Sequence, residues 1–564
     1  MAFQISPGVN VSEVDLTTVV PAVSSSVGAI AGPFQWGPVL KVKTIGSETE
    51  LVNTFGKPDN NTANTFFTAT NFLSYSNNLG VVRVIGASAW NANTGSTGIL
   101  VENDDAYENV TVTDQEWIAK YPGSLGNSLM ITMVDSSTYS TWSSAYKALF
   151  SAAPATSVYA ANTSNNTASN DELHILVIDE DGKISGVPGQ VLEKYAFVSK
   201  ASDAKNESGE SIYYQDVINR KSKYVWWGKH VSTTGSGTSW GSAVGATAFK
   251  NISGATAFQN SFVNGADDNV LTTGNITDGF DKFLPEIVSA DLILSADGDQ
   301  DVVGHLIDNI AEVKKDCVVF FSPLKADVVD NEGSEASDIV TYITTTVNPN
   351  SSYAVMDSNW KYQYDKYNDV YRWIPCNGDV AGLCARTDYT NDPWFSPAGY
   401  NRGIIKNVVK LAWNPTKAES DTIYAVGVNP IVTQAGVGNV LFGDKTTLAR
   451  PSAFDRVNVR RLFIVLEKAI ARASKFSLFE FNDEFTRNQF VGLVEPFLRE
   501  VKGRRGITDY RVVCDETNNT PEVIDSNSFV GDIYVKPARS INYIQLNFVA
   551  VRSGVEFSEI VGKF

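Results

Sequence analysis

Few residue constellations in this 564-residue chain could do chemistry, and each needs a particular structural setting before it can act. Gly237-Thr-Ser239-Trp-Gly241 has the G-x-S-x-G spacing of a nucleophile elbow, which presents a serine hydroxyl on a tight turn between a strand and a helix. The surrounding run is rich in Ser, Thr and Gly, which predicts a loop instead. Asp297, Asp299 and Asp301 have the first spacings of a calcium loop, but its sixth position is Val302 instead of the required glycine and its twelfth is Asp308 instead of a bidentate glutamate. An acidic helix start explains these carboxylates. Gly443-Asp444-Lys445-Thr446 resembles the end of a phosphate-binding loop, yet Asp444 replaces the glycine before the lysine and Asn439 occupies the upstream glycine position. His174, His230 and His305 have no HExxH or i,i+4 partner, so neither a zinc site nor a histidine-based triad has a framework. Cys317, Cys376, Cys384 and Cys514 come no closer than C-x7-C, which suits neither a zinc knuckle nor a thioredoxin-type motif, and they read as buried thiols in a reducing compartment. No enzyme, cofactor or metal site is expected.

The balance of 45 basic against 63 acidic side chains gives a net charge of −18, which argues against nucleic acid or an anionic membrane as the main partner. Hydrophobic residues at 43%, with 11% aromatic, are enough to fill several cores, so global disorder is excluded. The start, Met1-Ala-Phe-Gln-Ile-Ser-Pro-Gly8, lacks a basic stretch followed by an apolar one, and no window of eighteen residues is strongly apolar and uncharged. Neither export by a signal peptide nor membrane insertion is expected. Residues 450–564 hold 17 basic and 15 acidic side chains, a net +2 against −20 for residues 1–449, so a partner of the C-terminal part is expected to be acidic.

The elements that would carry any site divide the chain into segments. Residues 1–22 alternate loosely, with Val9, Val11, Val14 and Leu16 among polar positions after a helix-breaking Pro7-Gly8, and read as an extended arm. Residues 23–90 alternate helix (47–55, 62–76) and strand (80–85), an α/β segment packing with the domain that follows. Residues 91–284 shift to Asn, Ser, Thr and Gly with short strands such as 173–178 turning at Asp181-Gly182, a β-rich, exposed outer module. Strand 290–295, helix 302–315 and strand 317–322 have the spacing of a parallel βαβ unit within 285–345. An inner C-terminal α/β domain is expected over 346–539. Residues 540–564 alternate again, placing Ile544, Leu546, Phe548 and Val551 on a terminal strand or arm. The expected fold class is therefore multidomain α/β and α+β: a mixed sheet flanked by helices, a β-rich outer module, and extended N- and C-terminal arms suited to strand exchange.

Residues 454–506 are the most helical. At 100° per residue Leu462, Val465, Leu466, Ala469, Ala473 and Phe476 form one apolar face, beside a basic stripe of Arg461, Lys468, Arg472 and Lys475. A second helix, capped by Asn482 or Asp483, is expected to turn Phe485, Leu493, Phe497 and Val501 inward and to kink at Pro496.

Lys361-Tyr-Gln-Tyr-Asp-Lys-Tyr-Asn-Asp-Val370, Ala381-Gly-Leu-Cys-Ala-Arg-Thr-Asp388, Ser396-Pro-Ala-Gly-Tyr-Asn-Arg402, Phe454-Asp-Arg-Val-Asn-Val-Arg-Arg-Leu-Phe463, Arg511-Val-Val-Cys-Asp-Glu-Thr-Asn-Asn-Thr-Pro521 and Pro537-Ala-Arg-Ser-Ile-Asn-Tyr543 closely resemble the contractile tail sheath proteins of T4-like bacteriophages. Ser6-Pro-Gly8, Phe34-Gln-Trp-Gly37 and Tyr121-Pro-Gly-Ser-Leu-Gly-Asn-Ser-Leu129 fit the same resemblance. Longer members carry a bulky insertion where this chain has 30 residues between Trp90 and Tyr121, so no receptor-facing role transfers.

The resemblance implies a virion tail component assembled in the host cytoplasm: many copies wound helically around a tail tube protein, joined to a baseplate below and to neck or terminator proteins above. It implies a metastable extended state that contracts by rigid-body motion of subunits, with arms linking neighbours. It also puts the helix near 483–502 against the tube, making Arg487, Arg499, Lys502, Arg504 and Arg505 contact candidates, whereas periodicity favours Arg461, Lys468, Arg472 and Lys475. Two other classes make distinct demands. A tail adhesin or fibre binding host carbohydrate predicts receptor binding by residues 91–280, and a hydrolase needs Ser239 on a strand-turn-helix.

Overall fold

The computed structural model describes residues 25–297 and 299–542. They fall into two compact units: a larger one ending at residue 469, and a smaller one of residues 394–396 and 470 onward. The arm positions Val9, Val11, Val14, Leu16, Ile544, Leu546, Phe548 and Val551 lie outside the described residues.

The larger unit opens with β1 (Gly28–Gly32), β2 (Lys43–Ile45), α1 (Glu48–Phe55), α2 (Ala63–Leu73) and β3 (Leu79–Arg83). Ser47 starts α1 by accepting the Glu50 amide on its hydroxyl. β4 (Leu129–Val134), β5 (Glu172–Asp179), β6 (Gln190–Ser199) and β7 (Phe258–Ser261) then form an antiparallel sheet in the order β7-β4-β5-β6. It has its own core, including Trp117, Ile131, Ile175, Tyr214 and Phe262. The β5–β6 connection is longer than the turn expected at Asp181-Gly182, because Asp179 accepts the amides of Ile184 and Ser185 and organises a wider loop.

The chain returns through β8 (Leu292–Leu294), a helix over residues 300–314 with a π turn at Leu306–Ala311, and β9 (Val318–Phe321). β8 and β9 pair in parallel, as their spacing predicts. β10 (Ala354–Asp357), β11 (Trp360–Asp365), β12 (Val370–Pro375), α3 (Asn377–Thr390), β13 (Val428–Asn429) and α4 (Val457–Ser474) follow. The large sheet has the order β13-β10-β9-β8-β1-β3-β2, parallel except for β2. β1, β3, β8, β9 and β10 are buried at every residue, which is why they read as continuous apolar runs.

One boundary needs correction. Gly28 of β1 sits opposite Leu79 on one side and Leu292 on the other, so segments 23–90 and 285–345 share a single sheet. β10 and β13 extend that sheet, so residues from 346 onward do not begin a separate inner domain there. Arg83, at the end of β3, fastens the excursion to its base: its guanidinium donates to the carbonyls of Phe34, Gly37, Gln35 and Pro122 at 2.8–3.2 Å. α3 crosses α2 closely, and a Cβ on Gly378 would stand 2.4 Å from the Thr68 carbonyl oxygen, one on Gly382 2.5 Å from the Tyr75 ring.

The smaller unit contains α5 (Glu484–Gly503), β14 (Ile507–Val513) and β15 (Asp532–Pro537). Asp483 caps α5 by accepting the Thr486 amide. Its buried face is Phe490, Leu493, Val494, Leu498 and Val501, and the helix continues through the exposed Pro496. Two expected core residues are misplaced. α4 ends at Ser474, and the 3₁₀ turn after it breaks the helical phase, leaving Phe476 70% exposed. Phe485, on the first turn of α5, is 74% exposed because the buried stripe runs through Arg487 and Phe490 instead.

Candidate functional site

The chemical motifs resolve into local structure. Ser239 lies in a loop, without the flanking strand and helix of an elbow. Asp299 caps the helix at Gln300, accepting the Asp301 and Val302 amides at 2.9 and 3.0 Å. Lys445 donates to the Tyr424 carbonyl at 2.7 Å, and Asp444 pairs with Arg456 at 3.1 Å. All four cysteines are buried and unpaired, with burial pushing Cys317 and Cys384 up to about 12. Asp357, fully buried at the end of β10, accepts from the Ser322 hydroxyl and the Asn359 amide; burial, helped by the nearby Asp379 charge, raises it to about 7.

The first half of the basic stripe on α4, Arg461 and Lys468, is not a free surface. Arg461, only 3% exposed, pairs with Asp388 at 2.6 Å and donates to the carbonyls of Cys384 and Ser25 at 3.2 and 3.1 Å. The Ser25 hydroxyl donates to the same carboxylate at 2.7 Å. Two turns on, Lys468 pairs with Asp291, whose other oxygen accepts the Val27 amide at 2.9 Å. Burial holds the carboxyls of Asp388 and Asp291 above the usual range, with the partner cations opposing it. Arg461 and Lys468 therefore fasten the root of β1 to α4 and are corrected as tube-contact candidates: each has met a carboxylate brought from a distant segment.

In the smaller unit β14 and β15 pair antiparallel, with Tyr510 opposite Val535 and Val512 opposite Ile533. α5 packs on β14, and among the described residues neither outer edge of this sheet is paired. The Arg511–Pro521 motif builds the connection between them. Asn518 donates to the Val513 carbonyl at 2.9 Å, while Asn519 clips Val530 through both its amide (2.9 Å) and its carbonyl (2.8 Å). Arg487 turns inward to Asn482 at 3.0 Å and is buried, a second correction to the contact set. Exposed positions are Arg499, Lys502, Arg504, Arg505 and Arg472. Lys502 is 3.2 Å from Asp509 and Arg504 is 3.5 Å from Glu500, weak surface pairs. Residues 476–485 expose Phe476, Leu478, Phe479, Phe481 and Phe485 together, where periodicity turns two of these rings inward.

Three family models match the chain: the phage tail sheath C-terminal domain over residues 449–550, the phage tail sheath protein central domain over 269–447, and the tail sheath protein Gp18 domain III N-terminal region over 26–84. The chain is 33% identical to the tail sheath protein of Enterobacteria phage T4, covering 99% of both chains. It is 31% identical to that of Vibrio phage KVP40, covering 99% of this chain and all of the relative, and 34% identical to that of Salmonella phage ViI, covering 99% and 98%. The crystal structure of a sheath tail protein from Listeria innocua shares the fold at a TM-score of 0.53 and 12% identity, covering 92% of this chain and 96% of that one. These likenesses give no support to an adhesin. The chain belongs to the phage tail sheath family and is a structural, non-enzymatic subunit of a contractile virion tail.

Proposed function

We propose that copies of this chain wind helically around a tail tube, linked by terminal arms that add as strands to the open edges of β14 and β15 of neighbouring copies. The two-stranded sheet of β14 and β15, its outer edges unpaired among the described residues, carries this reading. The outward N–H and C=O groups of its two edges have no strand partner among the described residues and invite strand addition. Residues 1–22 and 540–564 supply alternating apolar segments of suitable length, including Val9, Val11, Val14 and Leu16 at one end and Ile544, Leu546, Phe548 and Val551 at the other. Head-to-tail links of this kind need not close and build open helices. The exposed aromatic segment 476–485 supports burial of this region in an assembly.

Contraction then needs no chemistry. The extended lattice, templated by tube and baseplate and ended by neck or terminator proteins, passes to a wider, shorter lattice of more favourable contacts by movement of folded subunits. Tube contact is assigned to Arg499, Lys502, Arg504, Arg505 and Arg472, exposed cations whose individual pairs of about 0.2–1 kcal/mol suit a grip that must let go. Assembly takes place in the host cytoplasm. Negative-stain electron microscopy of the full chain beside a version lacking residues 1–20 tests the reading. Hollow tubes from the former and monomers from the latter are expected; a full chain that stays monomeric at high concentration, or a truncation that assembles equally well, overturns it.

A further inference from the structure

At the C-terminal end of α3 the larger unit has a cavity of about 280 Å³ lined by Arg386, Thr387, Thr390, Asn391, Asn401 and Arg402. Two separated motifs build it: Ala381–Asp388 supplies Arg386 and Thr387, and Ser396–Arg402 supplies Asn401 and Arg402. Among the described residues no carboxylate lines it. Thr387 is held by its own helix, its hydroxyl donating to the Leu383 carbonyl at 2.7 Å, and Thr390 donates to the Arg386 carbonyl at 3.1 Å. The Arg386 guanidinium, by contrast, has no hydrogen bond or ion pair among the described residues. A third cation stands close by: Lys406 is pulled below the usual ammonium range by burial and by the Arg386 charge. Lys406 is itself engaged, donating to the Ser74 carbonyl at 2.6 Å and lying over the Tyr75 ring.

Guanidinium groups gathered in a concave site beside the side-chain amides of Asn391 and Asn401, with no carboxylate in the lining, form a receptor for an oxyanion; the Thr387 and Thr390 hydroxyls, their protons already given to backbone carbonyls, add no donor. Residues 1–449 carry a net −20, so the surfaces that a second copy offers are dominated by carboxylates. We propose that this cavity receives an acidic side chain of a second copy of the chain, with Arg386 as the principal donor and Arg402 completing the clamp. The site links copies through folded surfaces of the larger unit, apart from any exchange of arms. It rests on the self-assembly proposed above.

The test uses the full chain, wild type beside R386M and R386K. Wild-type tubes establish self-assembly, and their absence overturns that reading and this one with it. Given wild-type tubes, R386M is expected to raise the protein concentration for half-assembly at least about ten-fold, as for the loss of a desolvated charge pair. R386K should lie between the two. Because Arg386 has no side-chain partner among the described residues, the melting temperature of unassembled R386M should match wild type. R386K assembled from equal parts of ¹⁴N- and ¹⁵N-labelled chain is then coupled with a water-soluble carbodiimide. Mass spectrometry should find the amine at position 386 of this variant joined to Asp or Glu peptides of mixed isotope. Wild-type-like assembly of R386M, or coupling of that amine only within one chain, refutes the proposal while leaving sheath assembly intact.

Discussion

Replacing Arg461 with methionine tests whether the α4 ion pairs anchor β1. The guanidinium contacts both oxygens of Asp388 at 2.6 and 2.8 Å and two carbonyls besides, and Asp388 is only 9% exposed. Its removal leaves the carboxylate with the Ser25 hydroxyl alone, and stranding one member of a buried pair costs about 3–5 kcal/mol. Since Ser25 leads directly into β1, the cost should appear there. Native-state hydrogen exchange at the Gly28–Gly32 amides is expected to speed up at least about 100-fold, equivalent to some 3 kcal/mol, while amides of β5 keep their wild-type rates. The pH dependence has a defined sign. Burial already raises the Asp388 carboxyl, so in R461M it escapes the penalty by protonation in acid, and the loss should be smaller at pH 5 than at pH 8. Adding Asp388→Leu removes the stranded charge and should restore most of the protection. Unchanged β1 exchange in R461M, or a double variant no better than the single one, would refute the anchoring argument.

Other outcomes are equally definite. Asp357 titrates near 7 in the fold and near 4 unfolded, so its contribution to stability declines as pH rises between these values; relative to wild type, D357N should gain up to about 4 kcal/mol between pH 4 and pH 8, measured by urea unfolding. Cys317, Cys376 and Cys384 should resist alkylation until the chain unfolds, and modification of native protein at these positions contradicts their placement. G382A forces a methyl against the Tyr75 ring and should destabilise the larger unit by about 1–3 kcal/mol, seen as a lowered urea midpoint. Reversing Arg499 and Arg505 together should impair sheath assembly on the tube, and normal extended tails carrying both changes would exclude them from the contact.

Local pattern reaches as far as local physics does. The β8–helix–β9 unit, α1, α2 and a cap at Asn482 or Asp483 are encoded within about thirty residues each and are legible. The insertion of β1 between β3 and β8 is not, because that register joins residues some 260 apart in sequence, and two apolar strands look alike before they are paired. Periodicity puts Arg461 and Lys468 on the correct helix, but it does not see Asp388 or Asp291 arriving from elsewhere, and so reads buried struts as a surface stripe. Phe476 is misread because the helical phase stops at Ser474, and Phe485 because the buried face of α5 lies through Phe490. The edges of β14 and β15 left unpaired among the described residues follow from their pairing alone, which no single strand announces.

The position of β1 also sets how the subunit bears load. A pull delivered through the residues before Ser25 runs along the axis of a strand bonded on both flanks, to β3 and to β8. The hydrogen bonds of both ladders are then strained together in shear; none can be peeled away in turn, and the Asp388 and Asp291 contacts at the strand's root share the force. A chain entering at an edge strand would unzip bond by bond. Entry at the middle of the sheet gives an attachment that yields late, the mechanical property that the proposed linkage through residues 1–22 needs if copies are to stay joined while the lattice changes shape.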